Sequence, residues 1–448
     1  MVKRAAVLFG IILLAVSLPA HAQEDMYAAR RGALLGSMDG GFAVLFSDAS
    51  AGQFDKAFYY LTGLKTPGAA LALFPGREVE EVLFNASGEW DYAARTPAAR
   101  AHPMEEFSAR LSAYGRGLNT AYVSFQDLPR LAEVGRGLGR LSTLENVDAT
   151  IAAMRVIKDE NEIEFLRRAC QITAEGLNDV FMAVEAGMQE EDLSVLLEFG
   201  FKRRKSPGYS FLQAASGPNA TNVHFGAGER VLEDGDVIVF DVGAVWEDYT
   251  ADISRTIPVS GEFSREQREI YTVVLNSQKA AIRLMRPGAL MSDVRAAAEE
   301  ALIDGLSELG LVLDKENQAQ RRFFIAHGYY HFIGLDIHDV WSEFSRSSGE
   351  KVYEPGMVMT MEPGLYFPAD RLDSILDRLG NSPEEAELRA FIEEIRPTYE
   401  KYIDIGVRIE DDVLITDTGN EVLTAAVPKE ISEIEAMMRR ESPFPRLR

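Results

Sequence analysis

The sequence predicts an α+β protein built as two domains, an N-terminal α/β domain followed by a larger domain of mixed strands and helices. Three observations carry this expectation. The 448 residues exceed what a single core usually organises. Strand-like and helix-like stretches alternate up to about residue 150, where the character of the chain changes. Beyond that point a long amphipathic helix leads into apolar runs that close on carboxylates, at Asp241, Glu362 and Glu410. The composition, 46% apolar and 26% charged, is that of an ordinary globular protein.

Taken in order, residues 1–22 read as a secretory signal. Lys3 and Arg4 precede an apolar run from Ala5 to Leu18, and Ala20-His21-Ala22 offers small residues for cleavage. The run is short for a membrane span, so the expectation is an exported protein, periplasmic or secreted, with no stable span after signal removal. Removal takes away two positive charges and no negative ones, moving the formal charge from −24 to −26. A surface this acidic argues against nucleic acid as a partner. Cys170 is the only cysteine, so export brings no intrachain disulfide, and its place in the helical pattern EFLRRACQIT suggests a buried structural thiol.

The domain at 23–150 opens with a short helix at 26–36 and a strand from Gly41 to Phe46. There follow FYYLTG (Phe58 to Gly63), read as a strand, then strands AALALF (Ala69 to Phe74) and VEEVLF (Val79 to Phe84). Helices near Met104 to Tyr114 and Leu128 to Val134 flank a short strand at Ala121 to Phe125. The glycines of Gly135 to Gly139 lack the G-x-G-x-x-G spacing and read as a loop. The domain at 151–448 begins with the long helix ENEIEFLRRACQITAEGLNDVFMAV. A basic turn, Phe201 to Tyr209, precedes strands at Gln213 to Gly217, Asp236 to Gly243 and Asp248 to Thr256. Helices at Arg265 to Met285 and Ser292 to Leu309 come next, then MVMTMEPGLY (Met357 to Tyr366) and a last strand, Gly406 to Thr416. Between these two lies a helical hairpin, about 369–400, with Ser382 as N-cap and Pro383 in the first turn. Lining of the cleft, an oligomer contact and surface decoration are all open roles for it.

The chemistry gathers around HGYYHFIGLDIHD, His327 to Asp339, which holds three of the six histidines. His331 and His338 are separated by an odd number of residues and would face opposite sides of a straight strand; serving one site requires a turn, which Gly334 would permit. Asp241 ends the apolar run Val237 to Phe240, and a carboxylate there must be paired, protonated or bound to metal. In the next strand Thr250, Asp252, Ser254 and Thr256 share a face. Asp241, Asp252, His331, Glu362 and Glu410 thus form a coherent ligand set, and four carboxylates balance two divalent ions: Mn²⁺ first, with Co²⁺ or Zn²⁺ as alternatives. Such a pair of ions serves hydrolysis, in which a bridging water becomes the nucleophile. H-E-x-x-H, G-x-S-x-G and a cysteine with a plausible base are all missing.

The strings DVGAVWEDYTADISRT, HGYYHFIGLDIHD, TMEPGLY and GVRIEDD resemble the pita-bread (creatinase/aminopeptidase) metallopeptidases, in particular the Xaa-Pro aminopeptidase (aminopeptidase P) and prolidase branch. The resemblance is strong over about 150–425, and the start of the chain is similar to the aminopeptidase P N-terminal domain. It implies a pita-bread catalytic domain with Asp241 on one metal, His331 and Glu362 on the other, and Asp252 and Glu410 bridging. Glu362 would accept the proton of the water. His338 and His224 would contact the peptide around the scissile bond, while His327, Tyr366 and Arg408 would hold ligands and substrate in place. The implied reaction is hydrolysis of an N-terminal Xaa-Pro peptide bond by a metal-bridging hydroxide, in proline-containing peptides, by a homo-oligomer (dimer or tetramer). Alternatives are a prolidase restricted to Xaa-Pro dipeptides and a non-catalytic peptide- or partner-binding protein of the same fold. The retained ligand set argues against a metal-free creatinase-like hydrolase, and the large N-terminal domain against a methionine aminopeptidase. The sequence departs from the family at Ser254 (commonly Thr), at Phe225 (commonly Tyr), at the FDKA before FYYLTG, and in the hairpin.

Overall fold

A computed structural model of the chain describes residues 20–47, 54–130, 141–340, 344–345, 349–380 and 382–444. The signal-like run at 1–19 and the glycine loop at Gly135 to Gly139 lie outside these residues, as does most of the helix expected at Leu128 to Val134. The chain divides into two compact units, one up to Ile151 and the other from Ala152 onward.

In the first unit six strands form one mixed sheet. β1 (Phe42–Phe46), β2 (Ala70–Leu73) and β3 (Glu81–Asn85) are joined by β4 (Ala99–Pro103), β5 (Thr120–Val123) and β6 (Thr143–Asn146), in the order β4-β3-β2-β1-β5-β6. The central three are buried along their whole length, which is why β1 and β2 read as unbroken apolar runs. FYYLTG is helical instead of extended, in α2 (Lys56–Thr62), after α1 (Ala20–Ser37). Local capping overrides its strand-like composition: the Asp55 side chain accepts from Phe58 N, and Gly63, at φ 70°, closes the helix in the left-handed region. The two arginines of α1 reach back to this helix, Arg30 Nη1 donating to Tyr60 O and Arg31 Nη1 to Leu61 O.

The second unit is built on α5 (Glu160–Phe181), begun by a capping box between Asp159 and Glu162. Against it packs a sheet of β7 (Tyr209–Ser216), β8 (Val237–Trp246), β9 (Tyr249–Thr250) and β10 (Ile253–Pro258), with β8 in the middle. β11 (Val358–Met361), β14 (Asp411–Ile415) and β15 (Asn420–Val422) form a second sheet, and β12 (Gly364–Tyr366) pairs with β13 (Gly406–Arg408). Helices α7 (Arg265–Ile282) and α8 (Met291–Glu308) pack on each other, Ser277 Oγ donating to Ala298 O at 2.7 Å.

The hairpin segment comprises α10 (Arg371–Leu376) and α11 (Pro383–Tyr399), the latter opened by the Ser382–Glu385 capping box. Its apolar residues Leu372, Phe391, Ile392 and Ile395 are buried in the main core. Phe391 meets Phe323 of α9 (Gln318–Phe324) with ring centroids 5.6 Å apart, and Arg371 donates to Phe323 O. Among the described residues, the cavity described below is lined from elsewhere in the chain, and the apolar face of the hairpin packs into the main core.

Candidate metal centre

Two strands expected to be continuous are interrupted at the residues that matter. Asp252 lies in the gap between β9 and β10, and Glu410 in the gap between β13 and β14. Glu362 lies in the matching gap between β11 and β12, where Pro363 has no N–H to give to the ladder. The register of β11 on β14 continues unchanged into β12 on β13, so Glu362 stands opposite Glu410. Likewise Asp241 pairs with Ser254, and Asp252 keeps the same face. The in-register gaps send the N–H of each acid to a partner outside its own ladder, Glu362 to Tyr329 O, Glu410 to Ser254 O and Asp252 to Asp412 Oδ2, without turning its side chain to the wrong side.

His331 and His338 come together because the chain folds back: Phe332 pairs antiparallel with Asp339, and Asp339 N donates to Phe332 O at 2.9 Å. The two rings pack edge to face, 4.4 Å between centroids. Gly334 is not needed here for a left-handed backbone, since the positive φ in this segment belongs to Val340, at 35°. It is needed for space: a Cβ at Gly334 would lie closer than 3.0 Å to Asp339 Oδ2.

All five ligand-type residues, together with His224, His327, His338 and Arg408, line one cavity of about 420 Å³. Asp252, His331 and Glu410 present ligand atoms all within 4.8 Å of one another. His331 Nε2 lies 3.4 Å from Glu362 Oε1, 3.7 Å from Asp252 Oδ2 and 3.8 Å from Glu410 Oε1. Its Nδ1 is 3.0 Å from Phe332 O, a group that only accepts, so Nδ1 carries the proton and the Nε2 lone pair faces the three carboxylates. Burial holds the ring neutral, pushing its pKa down to about 4.

That arrangement calls for a cation. Burial and neighbouring acids push Asp252 and Glu410 far above the usual carboxylate range, and burial takes Glu362 to about 8 despite Arg408. Asp252 Oδ1 and Glu410 Oε1 are buried without a hydrogen-bond partner. A lone pair and orphaned carboxylate oxygens aimed at one point fit divalent metal and fit little else. Asp241 differs, because Oδ1 accepts from Ser254 Oγ at 2.8 Å and Oδ2 from Arg408 Nη2.

Arg408, 2% exposed, ties the surroundings together. Nε donates to Ser254 Oγ at 2.7 Å; Nη1 donates at 3.0 Å to both Tyr366 Oη and Val223 O. Tyr366 Oη in turn lies 2.9 Å from His327 Nε2, and His327 Nδ1 lies 2.7 Å from Gly328 O. The carbonyl fixes the proton on Nδ1, so the chain of donors runs Arg408, Tyr366, His327, Gly328 O. Burial, with Arg408 nearby, holds His327 neutral at about 4. His224 and His338 are exposed at the cavity edge, and Phe225 N beside His224 donates to the buried Gln213 Oε1 at 2.9 Å.

Three supporting residues escape a reading of the sequence alone. Ser254 stands between Asp241 and Glu410, 2.8 Å from each, and only its place two residues after Asp252 hints at this. Asp412 Oδ2 accepts from Asp252 N at 3.0 Å and from Cys170 Sγ at 3.2 Å, giving the buried thiol a partner. Asp339 is held by Arg155 and Lys158 from far upstream.

The profile described as Metallopeptidase family M24 matches residues 164–417. A Xaa-Pro aminopeptidase of Haemophilus influenzae is 34% identical over 86% of this chain and 88% of its own. A Xaa-Pro dipeptidase of Mus musculus is 34% identical over 64% of this chain and 61% of its own. Among solved structures, an Escherichia coli aminopeptidase P in complex with substrate superposes with a TM-score of 0.78 at 30% identity, covering 93% of this chain and 98% of the other.

Proposed function

The chain belongs to metallopeptidase family M24, and from that premise we propose that it removes the first residue from peptides whose second residue is proline, in the manner of aminopeptidase P. It is a metal-dependent Xaa-Pro exopeptidase with the pita-bread fold of that family. The observation that carries the reading is the convergence of four acids and a neutral histidine lone pair on one cavity, with two further histidines at its edge.

Asp241, Asp252, His331, Glu362 and Glu410 would hold two divalent ions, Mn²⁺ by our proposal, with Co²⁺ or Zn²⁺ compatible with the same donors. Bound there, such ions polarise a carbonyl and acidify a water. The protein's own groups do the rest. Glu362 would take a proton at its carboxylate once the bound cations offset the burial that otherwise favours its neutral form. His224 and His338, exposed toward the cavity, would donate to the peptide on either side of the scissile bond and stabilise the charge that develops there. Arg408, Tyr366 and the neutral His327 hold Asp241 and the cavity wall in register.

Aminopeptidase P is preferred to prolidase because the aminopeptidase relative aligns over most of both chains and the dipeptidase over a shorter part of each. Turnover of an Xaa-Pro dipeptide and an Xaa-Pro-Xaa tripeptide by the Mn²⁺-loaded protein tests both points. Cleavage of the tripeptide supports the proposal, cleavage of the dipeptide alone supports prolidase, and cleavage of neither overturns the reading. We further propose export with removal of residues 1–22 and a homo-oligomeric state, supported by the signal-like sequence and by the family respectively. N-terminal sequencing of the exported protein and sedimentation in solution test these. Among the described residues no helix is long and apolar enough to cross a membrane.

A further inference from the structure

We propose that Asp339 is a positioning residue for the reaction: gripped by Arg155 and Lys158 beneath Gly334, it fixes the turn that holds His338 against His331. The proposal rests on the reading of His338 as a donor to the substrate.

His338 is exposed, so its direction is set by the backbone on which it sits. That backbone is a tight reversal, with Asp339 N bonded to Phe332 O at 2.9 Å and Gly334 N to Asp336 O at 3.1 Å. The side chain next to His338 is the anchor. The Asp339 carboxylate is fully buried; Oδ1 is paired with Arg155 Nη2 and Oδ2 lies 2.9 Å from Lys158 Nζ. Lys158 Nζ also donates to Arg155 O at 2.6 Å, which makes the two cations one rigid clamp. The same Arg155 Nη2 reaches Asp336 Oδ2 at 2.7 Å, so the clamp grips the reversal at its tip as well as its end.

Gly334 is shaped to admit this anchor. A Cβ there would fall closer than 3.0 Å to Asp339 Oδ2, 3.1 Å from Cγ and 3.2 Å from Lys158 Cε. The carboxylate therefore passes against a bare Cα inside the turn. A buried group of charges contributes little net stability compared with apolar packing of the same volume, so stability alone does not account for it. What it supplies is geometry, because two cations and a planar carboxylate fit together in few ways. Misplacement of a reacting group by about 1 Å costs about 100-fold in rate, and His338 sits one residue from the clamp.

A double-mutant cycle on the metal-loaded enzyme tests the proposal, with an Xaa-Pro-Xaa tripeptide as substrate. Asp339→Asn is expected to lower kcat by about 10- to 100-fold, with KM and bound metal unchanged. Combined with His338→Ala, it is expected to add no further loss, because Asp339 acts through that histidine. Multiplying losses in the double variant, or a kcat for Asp339→Asn equal to that of the parent, would overturn the proposal. A neutral His338→Ala would instead remove the reading of His338, and the proposal with it. Gly334→Ala keeps every charge and presses on the Asp339 carboxylate and the Lys158 side chain that grips it, so it carries the test if Asp339→Asn does not fold. The same loss of kcat is expected from it, and parental kcat in the folded variant is the refuting result.

Discussion

Removal of the Ser254 hydroxyl should loosen both halves of the metal centre at once. In the parent protein Ser254 Oγ lies 2.8 Å from Asp241 Oδ1, 2.8 Å from Glu410 Oε2 and 2.7 Å from Arg408 Nε, and the residue is fully buried. A hydroxyl has one proton, so it donates to one carboxylate at a time while accepting from the guanidinium. Ser254→Ala therefore removes one donated and one accepted bond, and leaves Arg408 Nε buried without an acceptor. A hydrogen bond to a charged partner contributes about 1.5–3 kcal/mol. Loss of such a bond behind a ligand typically weakens metal binding by about 10- to 100-fold. Competition between the protein and a chelator, read by elemental analysis, measures this directly. Ser254→Thr retains the hydroxyl and should restore binding. Metal affinity of Ser254→Ala equal to the parent's would refute the reasoning, since Asp241 and Glu410 would then be held without the bridge.

Three further outcomes follow from the same geometry. Tyr366→Phe breaks the link between Arg408 and His327 and should lower kcat/KM by about tenfold, the equivalent of one net hydrogen bond, with metal content unchanged; steady-state kinetics and metal analysis check it. The chelator-treated protein should lose stability as pH rises from 6.5 through about 8. The folded-state pKa of Glu362 is raised from 4.5 to about 8, so its contribution is complete below 4.5 and is lost as pH rises through 8, by at most about 1.4 kcal/mol per pH unit. His327 and His331 are lowered from 6.5 to about 4, so theirs is complete above 6.5 and is lost as pH falls through 4. A thermal melt across this range shows the first slope without metal, and saturating Mn²⁺ should abolish it. Cys170, fully buried and pushed well above the usual thiol range by burial and by Asp412, should resist thiol reagents until the protein unfolds; labelling at rest would contradict the buried placement.

How much of this could be read from the sequence depends on the range over which each feature is determined. Asp241 was legible because a charge closing a four-residue apolar run is costly wherever the strand goes. The alternation that puts Asp252 and Ser254 on one face was legible too, since it depends only on the period of a strand. The gaps at Asp252 and Glu410 were not, because strand continuity is decided by the partner strand. FYYLTG misled for a related reason: its composition favours a strand, and one cap on each side, Asp55 and Gly63, outweighed it. The histidine stretch gave the need for a turn from an odd spacing alone, but the wrong reason for its glycine. Flexibility at Gly334 is a local property and could be guessed; the need for space there arises from Asp339, Arg155 and Lys158, the last two some 180 residues away in the chain. Three of the site's carboxylates sit where ladders break, and two of them are held from other strands, Glu410 by the Ser254 hydroxyl and Asp252 through its N–H by Asp412. Donor chemistry, in short, is written residue by residue, whereas the positions of those donors belong to pairs of residues that only the fold brings together.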